Sequence, residues 1–375
     1  MIFVLLFVVA CFLAYSNGAN DNFKGVATLF GSGTTNYNRA INWATLTTFL
    51  GSVTAIFLAS SLVKNFSGKG LVPDVLIQAP EFATSIALGA GITVFLATKI
   101  GMPISTTHSL VGGLFGSGIV AVGSAFNFNL LGNTFIMPLI LSPLMAAGAS
   151  IIIYLLFRRL RNLFGVSKQM CICIGQEYVP VFDNLNKTNP AVDAIGPYKS
   201  IKIDEEQKCI ERYQGAFLGL NAQKLLDVAH FLSAGVVSFA RGLNDTPKLV
   251  GLLIVINNLS IEWGMIALAV AMAIGGLLNA KKVGETVSKK ITPMNHGQGF
   301  TANLITGLLV TTASIHGLPV STTHVSVGSI FGIGTVTKKS DLKVVRNIVL
   351  SWILTLPIAA LISAMVYYLL SNIVR

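Results

Sequence analysis

Three long stretches of the chain contain no charged residue, and they predict its architecture. They cover residues 40–63, 134–157 and 347–374, and each runs for at least 24 residues. About 20 apolar residues in an α-helix cross the hydrocarbon core of a bilayer, so each stretch predicts a transmembrane helix. The stretches lack the strict alternation of strands in a membrane barrel. The pattern therefore predicts an all-α polytopic membrane protein.

Composition and charge agree with that prediction. Hydrophobic residues make up 53% of the chain and charged residues only 11%, whereas soluble domains contain about 25% charged residues. The net charge of +11 is typical of basic cytoplasmic loops, and no basic–aromatic motif indicates a nucleic-acid partner. The apolar first 18 residues lack the basic start of a signal peptide, so they predict a permanent helix.

Two motifs occur twice, in the same order. NGANDNFKGV begins at residue 17 and RGLNDTPKLV at residue 241, while PISTTH begins at residue 103 and PVSTTH at residue 319. Recurrence of two different motifs indicates an internal duplication. We therefore predict a transmembrane repeat over residues 1–157, a polar cytoplasmic linker over 158–223 and a second transmembrane repeat over 224–375.

The lysines and arginines of short loops predict the orientation of the repeats. Placing both termini outside puts eleven basic residues inside and three outside, which fits the positive-inside rule. The eleven are Arg39, Arg158, Arg159, Lys281, Lys282, Lys289, Lys290, Lys338, Lys339, Lys343 and Arg346. Each repeat then crosses the membrane an odd number of times, so the two are inverted.

Each repeat is predicted to contain a broken first helix and a re-entrant helical hairpin. Glycine and proline at residues 101–103 interrupt the first hairpin, as these residues commonly do. If the two arms were full membrane spans, the loops would lie on the same sides of the membrane as with a re-entrant hairpin. The loop charges therefore do not distinguish the two. Inverted repeats with broken helices are typical of secondary transporters, although channels with inverted repeats also exist.

The duplicated STT triplets predict an anion site. Serine or threonine at the start of a half-helix is a good N-cap, and the free N–H groups and dipole of that helix end attract anions. Inversion would bring the two helix starts together. An alternative is that the hydroxyls only satisfy backbone groups where a helix breaks. The candidate ligands are Ser105, Thr106, Thr107, Ser321, Thr322 and Thr323.

The duplicated Asn-Asp pairs predict a cation site. Intramembrane carboxylates are costly and need partners, and amide and carboxylate oxygens are hard ligands that suit sodium, as in unwound transporter helices. Structural Asp–Lys ion pairs and proton coupling are the alternatives. The candidate sodium ligands are Asn20, Asp21, Asn244 and Asp245, with Arg241, Lys24, Lys248, His108 and His324 as accessory candidates.

Three of the four cysteines fall in the polar linker. Cys171 and Cys173 stand too close together for a standard structural zinc pair, and Cys209 follows later in the linker. With the linker placed in the cytoplasm, we expect all three to be reduced thiols.

The quoted motifs resemble those of the inorganic phosphate transporter family. The segments GANDNFKG, GLNDTPK and the paired P[IV]STTH carry the resemblance, which covers both repeats. It implies two re-entrant hairpins around a phosphate site at the STT triplets, with the Asn-Asp pairs as ion or substrate ligands. The family includes sodium-coupled and proton-coupled members. Its second motif commonly has histidine where this chain has Arg241, which favours sodium here.

These observations together predict a sodium-driven phosphate symporter of the cell membrane, plasma or inner. It is not expected to be an enzyme or to need a cofactor beyond sodium as co-substrate. The alternatives are a proton-coupled phosphate symporter, a transporter of sulfate or another oxyanion, and an anion channel. A membrane enzyme acting on phosphate esters is a further alternative, but catalysis rarely needs two symmetric Ser–His pairs. Homodimerisation is left open.

Overall fold

The computed structural model describes residues 2–177, 180–182, 192–194, 198–213, 217–256 and 259–374. The chain divides into two compact units. Met1–Tyr154 and His230–Arg375 make up one unit, and Leu155–Ala229 makes up the other.

The first repeat is built from helices of unequal length. A 3₁₀ turn over Asn22–Val26 separates α1 from α2, and a π-helical turn over Leu131–Ile136 precedes α9. The helices are α1 (Ile2–Asp21), α2 (Ala27–Gly31), α3 (Tyr37–Leu58), α4 (Ser60–Phe66), α5 (Asp74–Ile77), α6 (Pro80–Lys99), α7 (Thr106–Val122), α8 (Phe128–Leu130) and α9 (Met137–Leu163).

The linker and the second repeat complete the chain. The linker contains β1 (Met170–Glu177), β2 (Pro180–Phe182), β3 (Val192–Ala194), β4 (Tyr198–Glu205), α10 (Glu206–Arg212) and β5 (Phe217–Asn221). The second repeat contains α11 (Ala222–Val250), α12 (Ile261–Asn279), α13 (Lys281–Glu285), α14 (His296–Ile315), α15 (Thr322–Thr337) and α16 (Leu342–Val374).

Seven helical segments in the described chain are long and apolar enough to cross a membrane. They are Ile2–Gly31, Tyr37–Leu58, Pro80–Lys99, Thr106–Ala125, Phe128–Leu163, Ile261–Asn279 and Leu342–Ile373. Each of the three uncharged stretches overlaps one of these segments, although the stretch 40–63 runs past Leu58 into α4. The prediction of a helical, multi-pass membrane protein is confirmed.

Two helical hairpins lie in the unit formed by Met1–Tyr154 and His230–Arg375. In the first, α6 and α7 are joined by residues 100–105, and in the second, α14 and α15 are joined by residues 316–321. The far end of α6 lies beside Lys282, whose Nζ is 3.2 Å from the Lys99 carbonyl. The second hairpin instead lies beside Asn65, whose Nδ2 is 3.1 Å from the Gly317 carbonyl. In the predicted topology these two neighbours are on opposite sides of the membrane.

The first helices of the two repeats break at different points. In the first repeat the α-helix ends at Asp21 and tightens into the 3₁₀ turn. In the second repeat α11 continues through Asp245 and tightens only at Gly251. Gly25 of the 3₁₀ turn packs closely against α11, because a Cβ at this position would lie 3.1 Å from the Cα of Ser238. Asp21 thus ends a helix, whereas Asp245 lies inside one.

The linker has structure that the sequence analysis did not predict. β1 pairs with β4 and with β5, both antiparallel, and β2 pairs with β3. A disulfide joins Cys173 of β1 to Cys209 of α10, whereas Cys171 is a buried free thiol. The expectation of three reduced thiols is therefore wrong for two of them, because the fold brings together cysteines that are 36 residues apart.

Candidate functional site

Each STT triplet lies where the second helix of its hairpin begins, at the start of α7 or of α15. The Ser105 hydroxyl accepts a hydrogen bond from the His108 backbone N–H at 3.2 Å, and Ser321 accepts one from the His324 N–H, also at 3.2 Å. Both serines have extended backbone angles and are N-caps. Each helix therefore begins with its first N–H groups lacking intrahelical partners, in a buried region.

The two helix starts face each other across the interior. Thr107 Oγ1 donates to the Val320 carbonyl of the opposite hairpin at 3.4 Å, and Thr323 Oγ1 donates to the Ile104 carbonyl at 3.0 Å. Thr322 is the first residue of α15 and is buried. The structure thus brings together all six hydroxyl residues of the predicted anion site, and every one of them is buried.

Lys24 projects from the 3₁₀ turn into this region. Its Nζ is paired with Asp21 Oδ1 and donates to Asn20 Oδ1 at 2.8 Å. It also reaches both hairpins, at 2.9 Å from the Ile104 carbonyl and 2.7 Å from Thr323 Oγ1. Four oxygens therefore surround one buried ammonium group.

Lys248 occupies the equivalent place in the second repeat. Its Nζ lies 2.9 Å from Thr107 Oγ1 and 2.6 Å from the Val320 carbonyl. Asp245 Oδ1 is 3.6 Å away. The Asp–Lys ion pair, one alternative from the sequence, is thus present in both halves, and each lysine contacts both hairpins.

The two asparagines of the repeated motif bind the hairpin connections. Asn20 Nδ2 donates to the Met102 carbonyl at 3.0 Å, and its Oδ1 accepts from the Ile104 N–H at 3.2 Å. Asn244 Nδ2 donates to the Val320 carbonyl at 3.2 Å. Both side chains therefore fix the segments that lead into the two helix starts. Their role as sodium ligands stays a prediction.

Asn17 links the two aspartates, although it is not among the site residues predicted from the sequence. Its Nδ2 lies 3.2 Å from Asp21 Oδ2, 3.4 Å from Asp245 Oδ2 and 2.9 Å from Thr106 Oγ1. Its position one helical turn before Asp21, on the same helix face, is the sequence signal that would identify it as a site residue. The carboxylates of the two repeats thus converge on a single amide.

Arg241 lies at the Asn17 end of the cluster. One guanidinium nitrogen donates to Asn17 Oδ1 at 2.6 Å, the other to Asn22 Oδ1 at 3.1 Å. Its Nε is 3.6 Å from Asp245 Oδ2 and is buried without a hydrogen-bond partner. Arg241 therefore pairs with Asp245, and through Asn22 it also contacts the turn that follows Asp21.

The two accessory histidines meet each other. The rings of His108 and His324 are 4.5 Å apart, and His324 stacks on Trp352 at 3.9 Å. Trp352 Nε1 donates to the Pro103 carbonyl at 3.0 Å. His108 Nδ1 and His324 Nε2 are buried and lack hydrogen-bond partners. The pair therefore packs where the two repeats join.

The buried charges of this cluster carry a positive excess. Among the described residues, the formally charged side chains that are buried are three cations and two carboxylates. They are Lys24, Arg241, Lys248, Asp21 and Asp245. One positive charge is uncompensated by protein, and a buried charge without a counterion is costly. The cluster is therefore electrostatically suited to an anion.

A helical membrane protein with a buried, duplicated polar centre between two hairpins has the form of a transporter. The sequence profile of the phosphate transporter family matches residues 17–363. The chain belongs to that family.

Relatives over the whole length support the assignment. A provisionally named phosphate permease of Pyrococcus abyssi is 28% identical, over 98% of this chain and 97% of its own. One from Haemophilus influenzae is also 28% identical, over 98% and 96%. A solved structure described as the sodium-dependent phosphate transporter matches 99% of both chains with a TM-score of 0.75 and 24% identity. This last similarity shows a shared fold.

Proposed function

We propose that this protein imports inorganic phosphate by symport with sodium, using the cluster around the two STT helix starts. The observation that carries the proposal is the facing pair of helix starts inside a buried cluster with an excess positive charge. Helix starts and hydroxyls donate to oxyanions, and the charge excess favours an anion over a neutral solute.

Two carboxylates in the cluster favour phosphate over sulfate. Protonated phosphate has hydroxyl groups that donate hydrogen bonds, whereas the sulfate dianion only accepts them. Asp21 Oδ2 and Asp245 Oδ2 converge near Asn17 and would accept from such hydroxyls. Sites built to pair with a substrate hydroxyl reject analogues that lack it by large factors.

Sodium is the proposed coupling ion. The same convergent carboxylate oxygens are hard ligands of the kind that transporters offer to sodium. The related solved structure is described as sodium-dependent. Proton coupling through the aspartates is the second candidate, because these carboxylates are the buried acids of the cluster. We also propose that both termini lie outside and the linker inside. The distribution of basic loop residues supports this orientation, whereas the Cys173–Cys209 disulfide is unusual for a cytosolic segment.

The test is uptake of radiolabelled phosphate into proteoliposomes under an imposed sodium gradient or a matched proton gradient. Sodium-driven uptake that excess sulfate does not inhibit is expected. Thr322→Ala and Asp21→Asn should reduce it strongly. Thr54→Ala is the matched control, because the Thr54 hydroxyl bonds only its own helix, at Leu50.

The other outcomes separate the alternatives. Uptake that follows only the proton gradient would make the aspartates proton carriers. Phosphate flux that needs no cation gradient would indicate a channel. Inhibition by sulfate equal to that by phosphate would reject the proposed selectivity.

A further inference from the structure

We infer that Lys24 and Lys248 are resident cations, whose ammonium groups fill two symmetry-related oxygen cages that ions could otherwise occupy. A consequence, which rests on the proposed function, is that one exchangeable monovalent cation accompanies each phosphate dianion.

The cage around Lys24 has the chemistry of a cation site. An amide oxygen, a carboxylate oxygen, a backbone carbonyl and a hydroxyl surround its Nζ, from Asn20, Asp21, Ile104 and Thr323. All are hard oxygen ligands, the set that transporters use for sodium at broken helices. An ammonium group carries the same unit charge and has three donors but no acceptor. It therefore replaces an ion in an all-oxygen cage.

The same arrangement occurs around the lysine of the second repeat. Around Lys248, the oxygens of Thr107, Val320 and Asp245 are the repeat equivalents of those from Thr323, Ile104 and Asp21 around Lys24. Each cage takes oxygens from both hairpins. A lysine recruited only to neutralise its own aspartate would not need contacts to both hairpins in both repeats.

The charge balance of the buried cluster also fits one exchangeable cation. Its three cations and two carboxylates leave one positive charge. A phosphate dianion would turn this into one negative charge, and about one sodium ion would then restore neutrality, which a low-dielectric interior favours. Two sodium ions would leave the loaded site positive. The convergent Oδ2 atoms of Asp21 and Asp245, which do not bond the lysines, are the place for the exchangeable ion.

Two substitutions at one position test the inference. Lys24→Ala empties the cage and leaves room for an ion, whereas Lys24→Met fills the same space without charge. Lys64→Ala, at an exposed lysine, is the control for loss of positive charge. The ratio of sodium-22 to phosphorus-32 uptake in proteoliposomes is measured for each variant, together with thermal unfolding in sodium chloride and in choline chloride.

We expect about one sodium per phosphate for the native protein and about two for Lys24→Ala, since the vacated cage needs a cation. Lys24→Ala, but not Lys24→Met, should gain thermal stability in sodium relative to choline. Two or more sodium ions per phosphate in the native protein would overturn the inference. So would an equal response of the Ala and Met variants to sodium.

Failure of the inference is distinguishable from failure of the proposed function. If the native protein takes up no phosphate under any gradient, the proposed function fails. The sodium-dependent difference in melting between Lys24→Ala and Lys24→Met is read without transport and still decides whether the cage accepts an ion. Lys248→Ala and Lys248→Met repeat the comparison in the second cage.

Discussion

Gly18 sets the distance between α1 and α12, and adding one methyl group there should displace the site. A Cβ at Gly18 would lie 2.7 Å from the carbonyl carbon of Met272 and closer still to its oxygen. The contact is reciprocal, because a Cβ at Gly275 would lie 2.7 Å from the carbonyl carbon of Tyr15. Glycine pairs of this kind let membrane helices approach closely.

The expected magnitude follows from these distances. Ordinary van der Waals contact for a Cβ begins at 3.4 Å, so Gly18→Ala requires a shift of roughly 1 Å between packed helices. Such overpacking costs about 1–3 kcal/mol, against which alanine returns up to about 1 kcal/mol of helix propensity. Asn17, Asn20 and Asp21 lie within three residues of Gly18. A displacement of about 1 Å at a site of this kind can lower activity by about 100-fold.

The assay compares thermal unfolding and phosphate uptake of Gly18→Ala with those of Gly148→Ala. Gly148 is also helical, but nothing lies within 4 Å of a Cβ there. We expect Gly18→Ala to melt at lower temperature and to lose most uptake, with Gly148→Ala equal to or more stable than the native protein. Normal uptake by Gly18→Ala would refute the argument that this contact positions the site.

Four further predictions concern single residues. Ser321→Ala removes the N-cap of α15 and should lower the free energy of unfolding by about 1 kcal/mol; an unchanged melting temperature would contradict the capping role. Trp352→Phe keeps a ring to stack on His324 but loses the hydrogen bond to the Pro103 carbonyl. It should therefore lower the free energy of unfolding by about 1 kcal/mol. A much larger decrease would show that the indole does more than donate this bond. Burial raises the pKa of the Cys171 thiol, leaving less thiolate at any given pH, so mass spectrometry should find it alkylated at pH 8 only after denaturation. Its disulfide-bonded neighbour Cys173 should label only after reduction, and labelling without reductant would contradict the disulfide.

The transmembrane helices were predictable because their signal is local. A span needs only about 20 apolar residues in a row, and residues 40–63, 134–157 and 347–374 each meet that condition. The meeting of the two STT triplets was predictable for another reason. An inverted duplication would place equivalent segments opposite each other, and the cross-contacts of Thr107 and Thr323 agree with that prediction.

The parts that were missed depend on contacts distant in sequence. The Cys173–Cys209 bond requires the fold of the linker, whereas the composition of the linker indicates only a polar segment. The alternation in YKSIKIDE, residues 198–205, was an available strand signal. Asn17 was not predicted because it aligns with Arg241, so the two copies of the motif differ at this position. In the structure these two unlike residues bond each other, which no repeat alignment would indicate.

The lysine contacts also indicate how phosphate would enter the closed cluster under the proposed function. Lys24 donates to Thr323 and Lys248 to Thr107, so both bonds join a first helix of one repeat to a hairpin helix of the other. The two repeats cannot rock apart without breaking one of these bonds, and a buried ammonium group that loses an acceptor needs another. Phosphate oxygens are stronger acceptors than hydroxyls because they are charged. An arriving phosphate would therefore accept hydrogen bonds from the two lysines in place of the threonine hydroxyls, whose own hydrogens remain on the Val320 and Ile104 carbonyls. The two lysines that join the repeats would thereby become ligands of the substrate.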